Sequence, residues 1–139
     1  MNAFLDSSVL VAALAPDELK HADCLALLLR GGNCIYSHAL LETFSTLTGG
    51  KLGVRVTPDL AAQMHSETIL PRVSVIELSI AEIVDAFRVA QSRGVRGGCV
   101  YDYMHLLAAK KGNASVINTL NTDDFQHLRR ADDPEVQLP

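Results

Sequence analysis

Asp6, Glu42, Asp102, Asn121 and Asp124 are the side chains whose type and placement could do chemistry. Asp6 directly follows the apolar run Ala3-Phe4-Leu5, and Asn121, Thr122, Asp123 and Asp124 stand in a row just beyond the apolar stretch that begins at Ile117. Acids that meet in one crevice can hold a cation or move protons. Each acid also has a plainer reading. Asp6 can cap a helix, worth about 1 kcal/mol, and the row after Leu120 can be a solvated turn, the reading preferred for Asp123. Asp102 is harder to set aside, because Val100, Tyr101, Tyr103, Met104, Leu106 and Leu107 around it predict a largely buried helix. A buried carboxylate needs a partner or a cation. His105, three residues on, is the structural partner on offer. Glu42 lies off the apolar stripe of its helix, and by pattern alone it is a solvated position. Ser7 and Ser8 can hydrogen-bond the site or a substrate, or merely continue the helix cap.

The elements that must carry these residues alternate between strand and helix. Strands are predicted at 3–5, 33–36, 73–78 and 115–119, with a possible fifth at 136–138 beside two prolines. Between them lie predicted helices: 7–14, then one restarted by Pro16-Asp17 with Leu19, Ala22, Leu25, Ala26 and Leu29 at helical spacing. A third runs from 38 to 47, capped by Ser37 and striped by Leu40, Phe44 and Leu47. Thr57-Pro58 opens another through Leu70. The last two span 79–93, striped by Ile80, Ile83, Val84, Phe87 and Ala90, and 99–111, which is apolar on nearly every side except at Asp102 and His105. Residues 51–56 read as a polar loop, and 93–98 as a flexible basic connector. Short strands alternating with longer helices predict one α/β domain over residues 1–139, a parallel sheet wrapped by helices. In such sheets ligands gather beyond the carboxyl ends of the strands, where Asp6 and the Asn121–Asp124 row both fall.

Bulk properties narrow the function. A formal net charge of −4 argues against a protein that binds nucleic acid by charge alone, since that affinity leans on Lys and Arg neutralising phosphates. An acidic site that holds a cation is still allowed, because the ion inverts the local charge logic. No stretch approaches the roughly 20 apolar residues of a membrane span, and Asp6 stands where an export signal would carry Lys or Arg. The cytoplasm is the expected compartment. Cys24, Cys34 and Cys99 are scattered, with neither zinc spacing nor an even count, and are assigned to a reduced core.

Three segments that carry four polar positions together resemble a known family. FLDSSVLVAAL around Asp6, HALLETFSTLT around Glu42, and YDYMHLLAAKKGNASVINTLNTDDF around Asp102 and Asn121 are similar, in order and spacing, to PIN-domain nucleases. The likeness is greatest to the VapC-like toxins of type II toxin–antitoxin pairs. The resemblance implies a three-layer fold with a central parallel sheet of four to five strands. It also implies cleavage of RNA by a water activated on Mg²⁺, with Mn²⁺ as a substitute. By position, Asp6, Glu42 and Asp102 correspond to the family's first three acids. The fourth polar ligand falls on Asn121 or Asp124, and an amide at Asn121, where many members carry a carboxylate, bears on a second metal ion. A small cognate antitoxin and a homodimer follow as implied partners.

RNA contacts are expected from Lys51 and Arg55, from Arg93 and Arg96, and from Lys110 and Lys111. Arg93 and Arg96 are favoured because their loop leads into the Asp102 helix. With 5% aromatic residues and no Trp, base-stacking platforms look sparse, so recognition through RNA shape and a few loops is expected. Rival readings are a receiver-like phosphoacceptor, which ordinarily carries paired acids where Asp6 is followed by two serines, and a non-catalytic RNA-binding module. A housekeeping RNA-processing or DNA flap-type nuclease would share the acidic site.

Overall fold

A computed structural model describes residues 2–50 and 55–139. Lys51, one of the expected RNA contacts, and most of the predicted 51–56 loop lie outside the described residues. Five short strands, β1 (Ala3–Leu5), β2 (Asn33–Tyr36), β3 (Val73–Ile76), β4 (Val116–Asn118) and β5 (Glu135–Gln137), form one sheet in the order β3-β2-β1-β4-β5. Every pairing is parallel, with Ala3 opposite both Asn33 and Val116.

Because successive strand residues point to opposite faces, the central strands feed two cores. Phe4, Cys34, Tyr36 and Ile117 pack on one side with Tyr103, Leu106 and Phe125. Leu5 and Ile35 pack on the other with Val9, Leu10, Cys24, Leu28 and Ala39. This makes three layers. The first side is covered by α5 (Ile80–Val89), α6 (Cys99–Lys111) and α7 (Thr122–Leu128), the second by α1 (Ser7–Leu14), α2 (His21–Arg30) and α3 (His38–Gly49).

Several expectations change in detail. The second helix starts at His21, not at Pro16, because Glu18 N–H bonds Ala15 O and His21 N–H bonds Glu18 O, making tight turns of the segment between. Leu19, expected in the core, is 98% exposed, and the helix buries Cys24 and Leu28 instead. Ser37 does not cap α3: its backbone is already helical, and its side chain makes no cap bond. Thr57 does cap the next helix, α4 (Pro58–Met64), accepting from Leu60 N–H at 3.2 Å. Beyond Met64 the chain widens into a π-helical turn, His65–Ile69, and tightens into a 3₁₀ turn, Leu70–Arg72, rather than running as one α-helix.

Ser79 and Glu82 cap α5 reciprocally, at 2.9 and 3.1 Å. Its predicted stripe splits: Ile83 and Ala90 pack on the core beside buried Ala86, whereas Ile80 and Phe87 are more than half exposed. The row at 121–124 is not only a turn, since it opens α7. The predicted flexible connector is also held. Arg93 donates to Leu128 O and Asp133 Oδ2 at 2.9 and 3.2 Å and lies over the Tyr103 ring. Asp133, itself buried, further accepts from Arg130 N–H and faces Lys110. This knot fixes the approach to α6 against the chain that follows α7.

Candidate active site

Adjacent parallel strands end side by side, so the residues just past β1 and β4 must meet. Asp6 follows β1, and its backbone N–H donates to Asn118 O at 3.1 Å. It holds the N-cap position of α1 with extended backbone, yet its side chain makes no cap bond. The carboxylate, buried, instead accepts from Thr119 Oγ1 at 2.9 Å and Ser8 Oγ at 2.8 Å. The same hydroxyls order the loop beyond β4: Leu120 N–H donates to Ser8 Oγ, and Asn121 N–H to Thr119 Oγ1. Asp6 is therefore a structural hub at the floor of the crevice.

Glu42 reaches in from α3. The structural alternative for Asp102, a pairing with His105, does not form: His105 Nε2 meets Glu42 Oε1 at 2.5 Å, and Ser7 Oγ donates to Glu42 Oε2 at 3.4 Å. The i+3 spacing put the His beside Asp102 along its own helix, but it is α3 across the crevice that supplies the partner. His105 is fully buried, and its Nδ1 has no partner. Burial acts to lower the His105 pKa, but the Glu42 hydrogen bond and the charges of Asp6, Glu42 and Asp102 outweigh it and leave it raised. Burial likewise acts to raise the Glu42 pKa, and His105, by hydrogen bond and charge, with help from His38 and Ser7, brings it below the usual range. Both shifts favour the charged pair.

Asp102, in the first turn of α6, is the acid left over. Its pKa rises from the ordinary 3.8 to about 6, first through burial and then through the charge of Asp6. His105 offsets part of this, while Asp124 and Glu42 add to it. Asp102 and Asp124 line one cavity of about 590 Å³ with Arg93, Gly98, Cys99 and His127. Of the polar row after β4, then, Asp124 is the residue whose charge reaches Asp102. Asn121 sits at the N-cap position of α7 without a side-chain cap bond.

The family profile described as the PIN domain matches residues 3–131. The chain belongs to the PIN domain family. Solved structures agree on the fold. The VapBC2 structure from Rickettsia felis, bound to a promoter DNA fragment, superposes with a TM-score of 0.67 at 18% identity over 100% of this chain and 99% of that one. VapC20 of Mycobacterium tuberculosis, described as a toxin that cleaves the sarcin–ricin loop, gives 0.68 at 17% identity over 95% and 99%. FitAcB from Neisseria gonorrhoeae gives 0.63 at 17% over 96% and 95%. Among curated proteins none matches the chain.

The charge of this PIN domain's crevice suits a hard divalent cation. Asp6, Glu42, Asp102 and Asp124 offer only oxygen donors, as Mg²⁺ prefers, and the charges of the other three add to burial in raising the Asp102 pKa. The donor set fits the ion. As the side chains stand, though, no group of three or more His, Cys, Asp or Glu among the described residues is gathered closely enough to hold one. Glu42 is turned to His105, and Asp6 to two hydroxyls.

The basic residues expected to meet RNA are largely engaged elsewhere. Arg93 serves the Asp133 knot, Lys110 pairs with Asp132 and Asp133, and Lys111 pairs with Glu82 and Glu77 O. Arg55 and Arg96 are exposed. The sequence reading aligned Thr119 with the family's segment after the fourth strand but gave it no role. The clue was positional: it follows β4 as Asp6 follows β1. No helix among the described residues is long and apolar enough to cross a membrane.

Proposed function

We propose that this PIN domain is a Mg²⁺-dependent endoribonuclease and the toxin of a toxin–antitoxin pair, acting as one unit over residues 1–139 in the cytoplasm. The observation that carries the reading is Asp102, which lines one cavity with Asp124 in a PIN fold and is raised to about 6 by burial and by the charges of Asp6, Asp124 and Glu42. An acid so placed gains from a cation and from little else on the protein. The names of the VapBC2, VapC20 and FitAcB relatives support the toxin reading and the expectation of a cognate antitoxin.

Asp6, Asp102 and Asp124 would hold the metal, with Glu42 completing the set and Asn121 available through water. When bound, the ion supplies a Lewis acid that lowers the pKa of water and offsets charge on the scissile phosphate. Thr119 and Ser8 fix the Asp6 carboxylate by donating to one of its oxygens, Oδ2. His105 holds Glu42 across the crevice, and Ser7 orients its second oxygen. Arg93 positions the loop from which exposed Arg96 can meet a phosphate. The outward stripe of Ile80, Val84 and Phe87 on α5 supports the expected homodimer, which sedimentation of the purified chain would test.

The deciding experiment is digestion of a cellular RNA pool by the purified chain with Mg²⁺, with EDTA, and by Asp102→Asn. Discrete fragments with Mg²⁺ alone support the nuclease. Equal patterns from wild type and variant refute it. The spread of the acids favours one alternative, RNA binding without turnover, and retention of labelled RNA with no cleavage at saturating Mg²⁺ would identify it.

A further inference from the structure

Two helices meet across the crevice in two rungs. The inner rung is the pair of buried His105 and half-buried Glu42. One turn earlier on each helix stand Tyr101, four residues before His105, and His38, four residues before Glu42. They form the outer rung: their rings stack in parallel, 6° between planes and 5.4 Å between centroids. A helical turn rises about 5.4 Å, and α3 starts directly beyond β2, so this stack lies that far outward, at the mouth of the acidic crevice.

Tyr101 is 54% exposed although His38 covers one ring face. More than half of the residue's surface meets solvent. A large aromatic side chain left half in water has no packing reason to be there, and its own helix buries Tyr103 and Leu106 instead. The electrostatics sharpen the case. The chain carries a net charge of −4, and Arg93, Lys110 and Lys111 are tied in ion pairs, so attraction to phosphates is weak near this site. A neutral contact would add to what exposed Arg96 supplies.

We infer that the exposed ring of Tyr101, stacked on His38, is a stacking platform for one unpaired nucleobase beside the scissile phosphate. This rests on the nuclease reading for the identity of the strand, but the contact itself needs only a base with a free face. It adds one stacking contact to a recognition expected to depend on RNA shape and a few loops. Stacking of a base on an aromatic side chain is worth roughly five- to a hundredfold in affinity, and it tolerates any base because every base has a π-face.

The test uses a short single-stranded RNA carrying 2-aminopurine, whose fluorescence falls when it stacks, titrated with the full chain in Mg²⁺ while cleavage is followed in parallel. The expected result is quenching with wild type and with Tyr101→Phe, and roughly tenfold or greater weakening with loss of quenching for Tyr101→Ala. The deoxy strand of the same sequence shows whether the sugar matters, and Tyr101-dependent quenching of either strand supports the platform. Binding and quenching unchanged in Tyr101→Ala overturn it, even if cleavage proceeds. Tyr101-dependent quenching without cleavage keeps the platform and overturns the nuclease reading. Equal affinity for a fully paired duplex, or no binding of any strand, overturns the platform.

Discussion

Replacing Asp102 by Asn is expected to destroy activity and stabilise the fold. Ionised Asp102 is repelled by Asp6, Asp124 and Glu42, which with burial lifts its pKa from 3.8 to about 6. A difference of about two units corresponds to about 3 kcal/mol. Because the residue is half-buried, screening by solvent reduces this to about 1–2 kcal/mol. For a chain of this length that is a gain of roughly 3–7 °C in Tm. The sign follows from linkage: a folded-state pKa above the unfolded one means stability falls as pH rises from 3.8 through 6 and stays low above it. Asn cannot ionise, so its advantage is full at pH 7.5 and fades towards pH 4. Added Mg²⁺ should raise the wild-type Tm more than that of the variant, since binding only to the folded state stabilises it. Thermal melts of both proteins at pH 7.5 and 4.5, with and without Mg²⁺, measure all three effects. A variant that melts at or below wild type at pH 7.5, or an advantage that does not shrink with acid, would refute this account of the crevice.

Three further outcomes follow from other parts of the molecule. Burial acts to raise the Asp133 pKa, but the Arg130 N–H, Lys110 and Arg93 hold it below the usual range. Its contribution is thus present above pH 3.8 and lost as pH falls through the lower folded value. Asp133→Asn should cost about 2–3 kcal/mol in urea unfolding at pH 7 and nothing near pH 2, where equal midpoints at pH 7 would contradict it. Thr119→Val keeps the shape but removes the hydroxyl donor to Asp6, and should lower stability by about 1–3 kcal/mol, read as a fall in the urea midpoint. Ser79→Ala breaks the reciprocal cap of α5 and should cost about 1 kcal/mol with cleavage of RNA unchanged.

The sheet was legible because its strands are apolar runs between turn residues: β1 and β2 fall where the pattern puts them, and β4 within a residue or two. The helical stripes were less legible. In α5, Ile80, Val84 and Phe87 have the spacing of a buried face, yet they point outward. Periodicity tells which residues share a side, and not whether the protein or the solvent lies on it. The short α7 was hidden because Asn, Thr and Asp suit both a turn and a helix start. At the site, Asp102 stood out as an acid among apolar neighbours. The Glu42–His105 pair spans 63 positions, and no local pattern encodes such a contact.

The hydrogen bond from Thr119 to Asp6 joins residues 113 apart, and β1 is flanked by β4 only after nearly the whole chain exists. A nascent polypeptide carries Asp6 from the start of synthesis but cannot build the crevice floor around it. Domains of this kind fold as units, so a polypeptide cut short before residue 119 lacks Thr119 and Asp124 and has no route to the assembled site. For an enzyme proposed to attack RNA, the order of the strands would delay assembly of the site until β4 and α7 have been made.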